Sequence, residues 1–179
     1  MNDLSPTRLW LMRAAFGLLA LVILLFHLLP LDTLPASWAG PDLILAFAMA
    51  WSLRRPEYVT APLLAGVFLL ADLLLQRPPG LWAVLALMGC ENLKSRIRPL
   101  RDAGFGAEWI AVSLIVVAIT AFNRLILAMT LAPVPPLALS VFELMATLLV
   151  YPLVVAVTHF GFGVRKTAPG DLDALGQRV

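Results

Sequence analysis

Three ionisable side chains stand inside long apolar runs of this sequence: Asp72, Arg124 and Glu143. Within a membrane such groups are costly, and a cation lying beside carboxylates at one depth relieves the cost by pairing. Polar residues recur around them at helical spacing. At 100° per residue, Ser140, Glu143, Thr147, Tyr151 and Thr158 fall within roughly an 80° arc of one helix. Ser113, Thr120, Asn123 and Arg124 share one broad side of another. Hydroxyls and amides placed this way find hydrogen-bond partners between helices and none in lipid. Asp72, Asn123, Arg124, Glu143 and Tyr151 are therefore expected to form an intramembrane polar network, with Arg124 paired to Glu143, to Asp72, or to both. Two roles suit such a network: fixing the packing of helices, or lining a pocket for a small molecule.

Catalytic and metal-binding patterns are missing from the sequence. His27 and His159 stand alone, with no second ligand at metal spacing. Cys90 is the single cysteine, which excludes an internal disulfide and a cysteine-rich metal site. It lies in an apolar segment, where a small buried hydrophobe is the ordinary reading. Gly161-Phe162-Gly163 ends an apolar helix and lacks the strand–helix context of a phosphate loop. No Ser-His-Asp or Cys-His set is evident. The reading is a protein that is not an enzyme and needs no cofactor.

The elements that carry these residues follow from composition. The 179 residues are 61% hydrophobic and 13% charged, with a mean hydropathy of +0.91. Soluble domains carry about a quarter charged residues, and a domain this size leaves much of its surface in solvent. Lipid must then be the solvent for most of the chain. Apolar segments separated by Pro/Gly-rich or charged breaks predict an all-α membrane protein with six transmembrane helices, at about 9–29, 38–53, 60–75, 81–93, 109–131 and 137–160. They form a single domain over 1–164, followed by a polar cytoplasmic tail, 165–179.

Six spans put both termini on one side, and the basic residues select that side. With the N-terminus cytoplasmic, the inner segments hold Arg8, Arg13, Arg54, Arg55, Lys94, Arg96, Arg98, Arg101, Arg165, Lys166 and Arg178, which is 11 of the 13 Lys and Arg. Only Arg77 falls in an outer loop, and Arg124 is within the fifth helix. The net charge of +2, spread along the inner loops, gives no footprint for nucleic acid. The expected topology is N-in/C-in in the cell inner membrane.

Two helices are short. The second and fourth have uninterrupted apolar runs of only 11 and 10 residues, where about 20 are needed to span. Either the fit is thinned or tilted, or Trp38 to Asp42 dips into the membrane against protein. Pro41-Asp42 opens the second helix, where the carboxylate suits free N–H groups and the positive end of the dipole. Arg54, Arg55 and Pro56 close it, the arginines reading as topology determinants and headgroup anchors. The stretch Lys94 to Arg101 suits anionic lipid or a cytoplasmic partner. Arg8 and Arg13, the run Ala14 to Leu29 and Ser37-Trp38-Ala39 imitate a cleavable signal. The run is long for one, and multi-spanning character downstream favours an uncleaved first helix.

The stretch from Pro41 to Arg96, PDLILAFAMAWSLRRPEYVTAPLLAGVFLLADLLLQRPPGLWAVLALMGCENLKSR, resembles the MreD family of rod shape-determining proteins, particularly its short alphaproteobacterial members. The marks are PDL at the start of the second helix, the AW…LRRPEYV exit, the ADLL segment and the RPPGLWA turn. VYPLVV at Val150 to Val155 and FGVRK at Phe162 to Lys166 continue them. The resemblance implies a non-enzymatic membrane subunit that binds MreC. It also implies action with the glycan polymerase RodA, a class B penicillin-binding transpeptidase and, indirectly, MreB filaments. The implied fold is similar to the six-helix substrate-binding subunits of energy-coupling-factor transporters. Asp42, Arg54, Arg55, Pro56 and Asp72 stand in the matched stretch and become candidate partner or structural sites. A groove for the membrane helix of MreC would need small residues such as Gly66 and Ala71. The alternative is a small-molecule-binding subunit of a membrane transporter.

Overall fold

The computed structural model describes residues 6–29, 39–97 and 104–164. The polar tail, the basic residues beyond 97 in the fourth inter-helix stretch, and Trp38 lie outside them. Six α-helices occur among the described residues: α1 (Pro6–Leu28), α2 (Leu43–Arg54), α3 (Ala61–Leu74), α4 (Leu81–Ser95), α5 (Phe105–Met129) and α6 (Leu137–Phe160). A single 3₁₀ turn, Pro56–Tyr58, joins α2 to α3.

Three of the helices, α1, α5 and α6, are long and apolar enough to cross a membrane. In each, only 22% of the most apolar window is buried. Leu11, Leu18, Leu25 and Phe26 on α1, Leu114 and Met129 on α5, and Leu149 and Leu153 on α6 all point outward. Soluble monomers rarely leave such continuous apolar surface in water. The faces suit lipid.

The other three helices are shorter. At 1.5 Å per residue, the 12 residues of α2 reach about 18 Å and the 15 of α4 about 23 Å, against about 30 Å of hydrocarbon. For α2 the physical reason is burial. Eleven of its 12 residues, Ile44 to Arg54, are buried, and it packs against α6, α4 and α1. A helix enclosed by protein need not match the lipid thickness. Around it run α1, α3, α4, α5 and α6, each in contact with the next in that order.

Each surrounding helix turns one stripe inward. On α3 the buried residues are Leu64, Phe68, Ala71 and Asp72. On α4 they are Trp82, Ala83, Ala86, Gly89, Cys90 and Leu93. These are the i, i+3, i+4, i+7 positions of one helical face. Gly89 lets α4 and α5 approach closely, since a Cβ there would come within 2.7 Å of Ile119 Cδ1 and 2.9 Å of Ile115 Cγ2. At the centre of the core, Trp51 of α2 meets Phe16 at a tilt and Tyr58 and Phe162 edge to face, with ring centroids 5.4, 6.3 and 5.3 Å away.

α3 and α5 stop in the same way. Gln76 and Leu131 take positive φ, 54° and 53°. Arg77 N–H then donates to Asp72 C=O and Ala132 N–H to Leu127 C=O, the six-to-one bond of a Schellman ending. Both endings lead into turns at the end of the bundle where α2 begins. Asp42 marks that end of the bundle, the Asp42 end, and Arg54 marks the opposite one, the Arg54 end.

Candidate functional site

At the Asp42 end, one carboxylate organises three helices. Asp42 is the N-cap of α2: its Oδ1 accepts from Leu45 N–H at 2.9 Å. Its Oδ2 accepts from Trp82 Nε1 on α4 at 3.1 Å. Its own backbone N–H donates to Thr147 Oγ1 on α6 at 2.9 Å, and that hydroxyl donates to Glu143 C=O at 2.7 Å. Arg77, in the α3–α4 turn, lies 3.8 Å from Asp42 and 3.5 Å from Glu143, with its guanidinium over the Trp82 ring at 5.2 Å. His27, Asp42, Arg77, Trp82 and Glu143 line a cavity of about 20 Å³, room for roughly one water-sized group.

Asp72 has a separate task. It is fully buried on α3, and its Oδ2 accepts from Gly80 N–H at 3.0 Å and Ala83 N–H at 3.1 Å. Those are the free donors of the first turn of α4. Gly80 sits at the N-cap with φ 88°, a conformation that suits glycine, and has no side chain to cap with. Asp72 supplies the missing carboxylate from the neighbouring helix, while its Oδ1 has no hydrogen-bond partner.

The expected pairing of Arg124 with Glu143 or Asp72 does not occur. Arg124 Nη1 donates to Pro135 C=O at 2.9 Å and to Ser140 Oγ at 2.7 Å. Glu143 is one turn farther along α6 and takes Arg77, a residue that sequence reasoning left in an outer loop. Asp72 is turned to the α4 backbone. Asn123 shares a cleft with Arg124 and Glu143. The single network of five thus divides, and Tyr151 leaves it altogether.

Tyr151 belongs to the Arg54 end. Its hydroxyl donates to Glu108 Oε1 at 2.9 Å, and Arg54 holds the same carboxylate through both nitrogens, Nη1 to Oε1 at 2.6 Å and Nη2 to Oε2 at 3.3 Å. Arg54 is 6% exposed and Glu108 1%. The reading of Arg54 as a headgroup anchor is therefore corrected: its side chain turns inward and back along α2, with Nη1 also 3.4 Å from Ala50 C=O. Arg55 pairs with Glu57 at 3.4 Å, and Pro56 opens the 3₁₀ turn. The turn itself is held by side chains from two other helices. Arg13 Nε donates to Glu57 C=O at 3.1 Å, and Lys94 Nζ donates to Val59 C=O at 2.6 Å.

Glu108 was missed because the sequence places it before the fifth helix, which the structure starts at Phe105. The signal was present in phase: Glu108, Val112, Val116 and Ile119 form one buried stripe. Trp109, beside it, has a second role. Pro152 inside α6 has no N–H, so Leu148 C=O loses its helical donor. Trp109 Nε1 donates to that carbonyl at 3.0 Å, as neighbouring helices do for broken helices in lipid.

Among the described residues no group of three or more His, Cys, Asp or Glu is placed to hold a metal ion. Two larger openings occur among the described residues. One, of about 220 Å³, lies between the α3–α4 and α5–α6 turns and is lined by Arg77, Asn123, Arg124, Ser140 and Glu143 among others. The second, about 250 Å³, is an apolar groove between α1 and α3 with Gly17, Ala20 and Gly66 in its wall. A Cβ at Gly17 or Gly66 would meet nothing within 4 Å. Ala71, expected beside Gly66 as a close-approach residue, is 3% exposed and packed in the core. No protein-family model matches the chain, and neither does any curated protein or solved structure.

Proposed function

We propose that this chain is a non-enzymatic inner-membrane subunit of the bacterial cell-elongation complex, of the MreD type. It binds MreC and helps to organise peptidoglycan synthesis by RodA and its class B penicillin-binding transpeptidase above MreB filaments. It crosses the bilayer six times with both termini cytoplasmic, in an arrangement similar to the substrate-binding subunits of energy-coupling-factor transporters. The observation that carries the reading is where the marks of the resemblance fall. PDL contributes Asp42, LRRPEYV contributes Arg54 and the held turn, ADLL contributes Asp72, and RPPGLWA contributes Arg77 and Trp82. Weak motifs spaced over Pro41 to Arg96 thus supply polar contacts at both ends of α2, where they tie it and the α3–α4 turn to neighbouring helices.

The apolar groove between α1 and α3 is the place we assign to the single membrane helix of MreC. Gly17 and Gly66 leave room for a helix backbone to approach, which is how helices associate in lipid. Binding there would favour one arrangement of the assembly by differential affinity for its states. The transporter-subunit alternative draws on the 220 Å³ polar cleft. That volume is below the roughly 300–1,000 Å³ of pockets enclosing drug-sized ligands, which weighs against a vitamin-like ligand.

Affinity purification from native membranes in mild detergent, with mass spectrometry of co-purifying proteins and small molecules, tests the reading. Recovery of MreC with the synthase pair is the expected result. A vitamin-like ligand with a membrane ATPase module, and no MreC, would overturn it in favour of transport. Gly66→Leu, which fills the groove, is expected to abolish recovery of MreC without lowering the melting temperature.

A further inference from the structure

The 220 Å³ cleft at the Asp42 end receives two guanidiniums, and their charges are balanced differently. Arg77 has carboxylates of Asp42 and Glu143 at 3.8 and 3.5 Å. Arg124 has none among the described residues. The two groups that fix it, the Pro135 carbonyl and the Ser140 hydroxyl, are neutral and share a single nitrogen, Nη1. An arginine carries five N–H donors in a rigid fork. Arg124 is thus oriented but not neutralised, and its Nε and Nη2 remain available in a half-buried cleft.

We propose that this cleft is a binding site for a phosphate group, with Arg124 as its principal anchor and Arg77 as the second cation. The guanidinium fork matches phosphate oxygens in a bidentate manner, and partial burial strengthens the charge-assisted hydrogen bonds. Size decides how much of a ligand enters. A cleft of about 220 Å³ is smaller than the roughly 300 Å³ or more that encloses a whole drug-sized molecule. It takes a headgroup, and acyl chains would lie outside on the apolar helix faces. Glu143 is a built-in competitor, because it lines the same cleft and offsets Arg77. The site does not depend on which complex the protein joins. Its phosphate comes from a phospholipid headgroup or from the free anion.

The full chain, purified in a nonionic detergent, is titrated with dihexanoyl phosphatidylglycerol, with uncharged dihexanoylglycerol and with inorganic phosphate, binding being read by calorimetry. Wild type is expected to bind the phospholipid at least about tenfold more tightly than the uncharged glyceride, the worth of one charged hydrogen-bonded contact. Arg124→Gln lowers that affinity about tenfold or more, and Glu143→Gln raises it. Full competition by equimolar inorganic phosphate assigns the free anion as ligand; failure to compete assigns the lipid. Equal binding of the two lipids to wild type, or an unchanged affinity in a folded Arg124→Gln protein, overturns the site. Should Arg124→Gln not fold, Glu143→Gln carries the test alone, and an affinity that fails to rise overturns it.

Discussion

The two ends of α2 use the same chemistry, a carboxylate with an arginine and an aromatic donor, but under different burial. At the Arg54 end, the Arg54–Glu108 pair is 6% and 1% exposed, bidentate, and completed by the Tyr151 hydroxyl. At the Asp42 end, Arg77 and Glu143 are 31% and 33% exposed, and their closest approach is 3.5 Å. Coulombic attraction grows as the local dielectric falls, and so does the penalty for leaving one partner alone. The closed end therefore holds the fold together, tying α2, α5 and α6. The open end has charges that are loosely paired and only partly buried. The tightest polar contacts and the proposed phosphate site thus lie at opposite ends of a single short helix.

Removing one partner at the closed end should break that contrast most severely. Glu108→Ala leaves a buried guanidinium unpaired, and a loss of about 3–5 kcal/mol is expected, read as a fall in melting temperature in mild detergent. The double variant Arg54→Met with Glu108→Leu, made in a Tyr151→Phe background so that no buried hydroxyl loses its acceptor, should recover most of the loss, since a buried pair replaced by apolar groups is often nearly neutral. If the double variant were as unstable as the single one, the ion pair would not be the cause.

Asp72 comes next. Asp72→Ala strips the first turn of α4 of its acceptor from Gly80 and Ala83 N–H, and should cost about 2 kcal/mol. A serine introduced at Gly80 would not repair it, because the backbone there is left-handed at φ 88°. Trp109→Phe keeps an aromatic ring but loses the N–H donor to Leu148 C=O, for an expected loss of about 1 kcal/mol. Hydrogen exchange in α6 around Pro152 should rise in that variant while α1 and α3 stay unchanged.

The smallest effect belongs to the open end. Arg77→Ala breaks the half-exposed contacts to Asp42 and Glu143, and such pairs contribute about 0–1 kcal/mol. Its melting temperature should lie within a few degrees of wild type. A loss as large as that of Glu108→Ala would erase the distinction drawn between the two ends.

Much of this was legible in one sequence. Apolar run length and the Pro/Gly breaks locate all six helices, because hydrogen-bonded backbone with apolar side chains is the arrangement lipid permits. Asp42 at the head of α2 follows from local chemistry, a carboxylate beside free N–H groups. Run length and composition alone mark α1, α5 and α6 as long and apolar enough to cross a membrane. What the sequence could not decide was which polar residue meets which. Arg124, Glu143 and Asp72 share an end of the bundle, yet side-chain reach and helix rotation send each to a different partner. Arg54 sits at a helix end, where arginine ordinarily turns to headgroups, and only the packing of α5 against α4 and α6, both of which pack on α2, brings Glu108 within 2.6 Å of it. Tyr151 is drawn to that pair for the same reason. Local sequence sets which groups need partners; the three-dimensional approach of helices distant in the chain decides who supplies them, because a buried charge is satisfied by whatever lies within a few ångströms and not by what lies near in sequence.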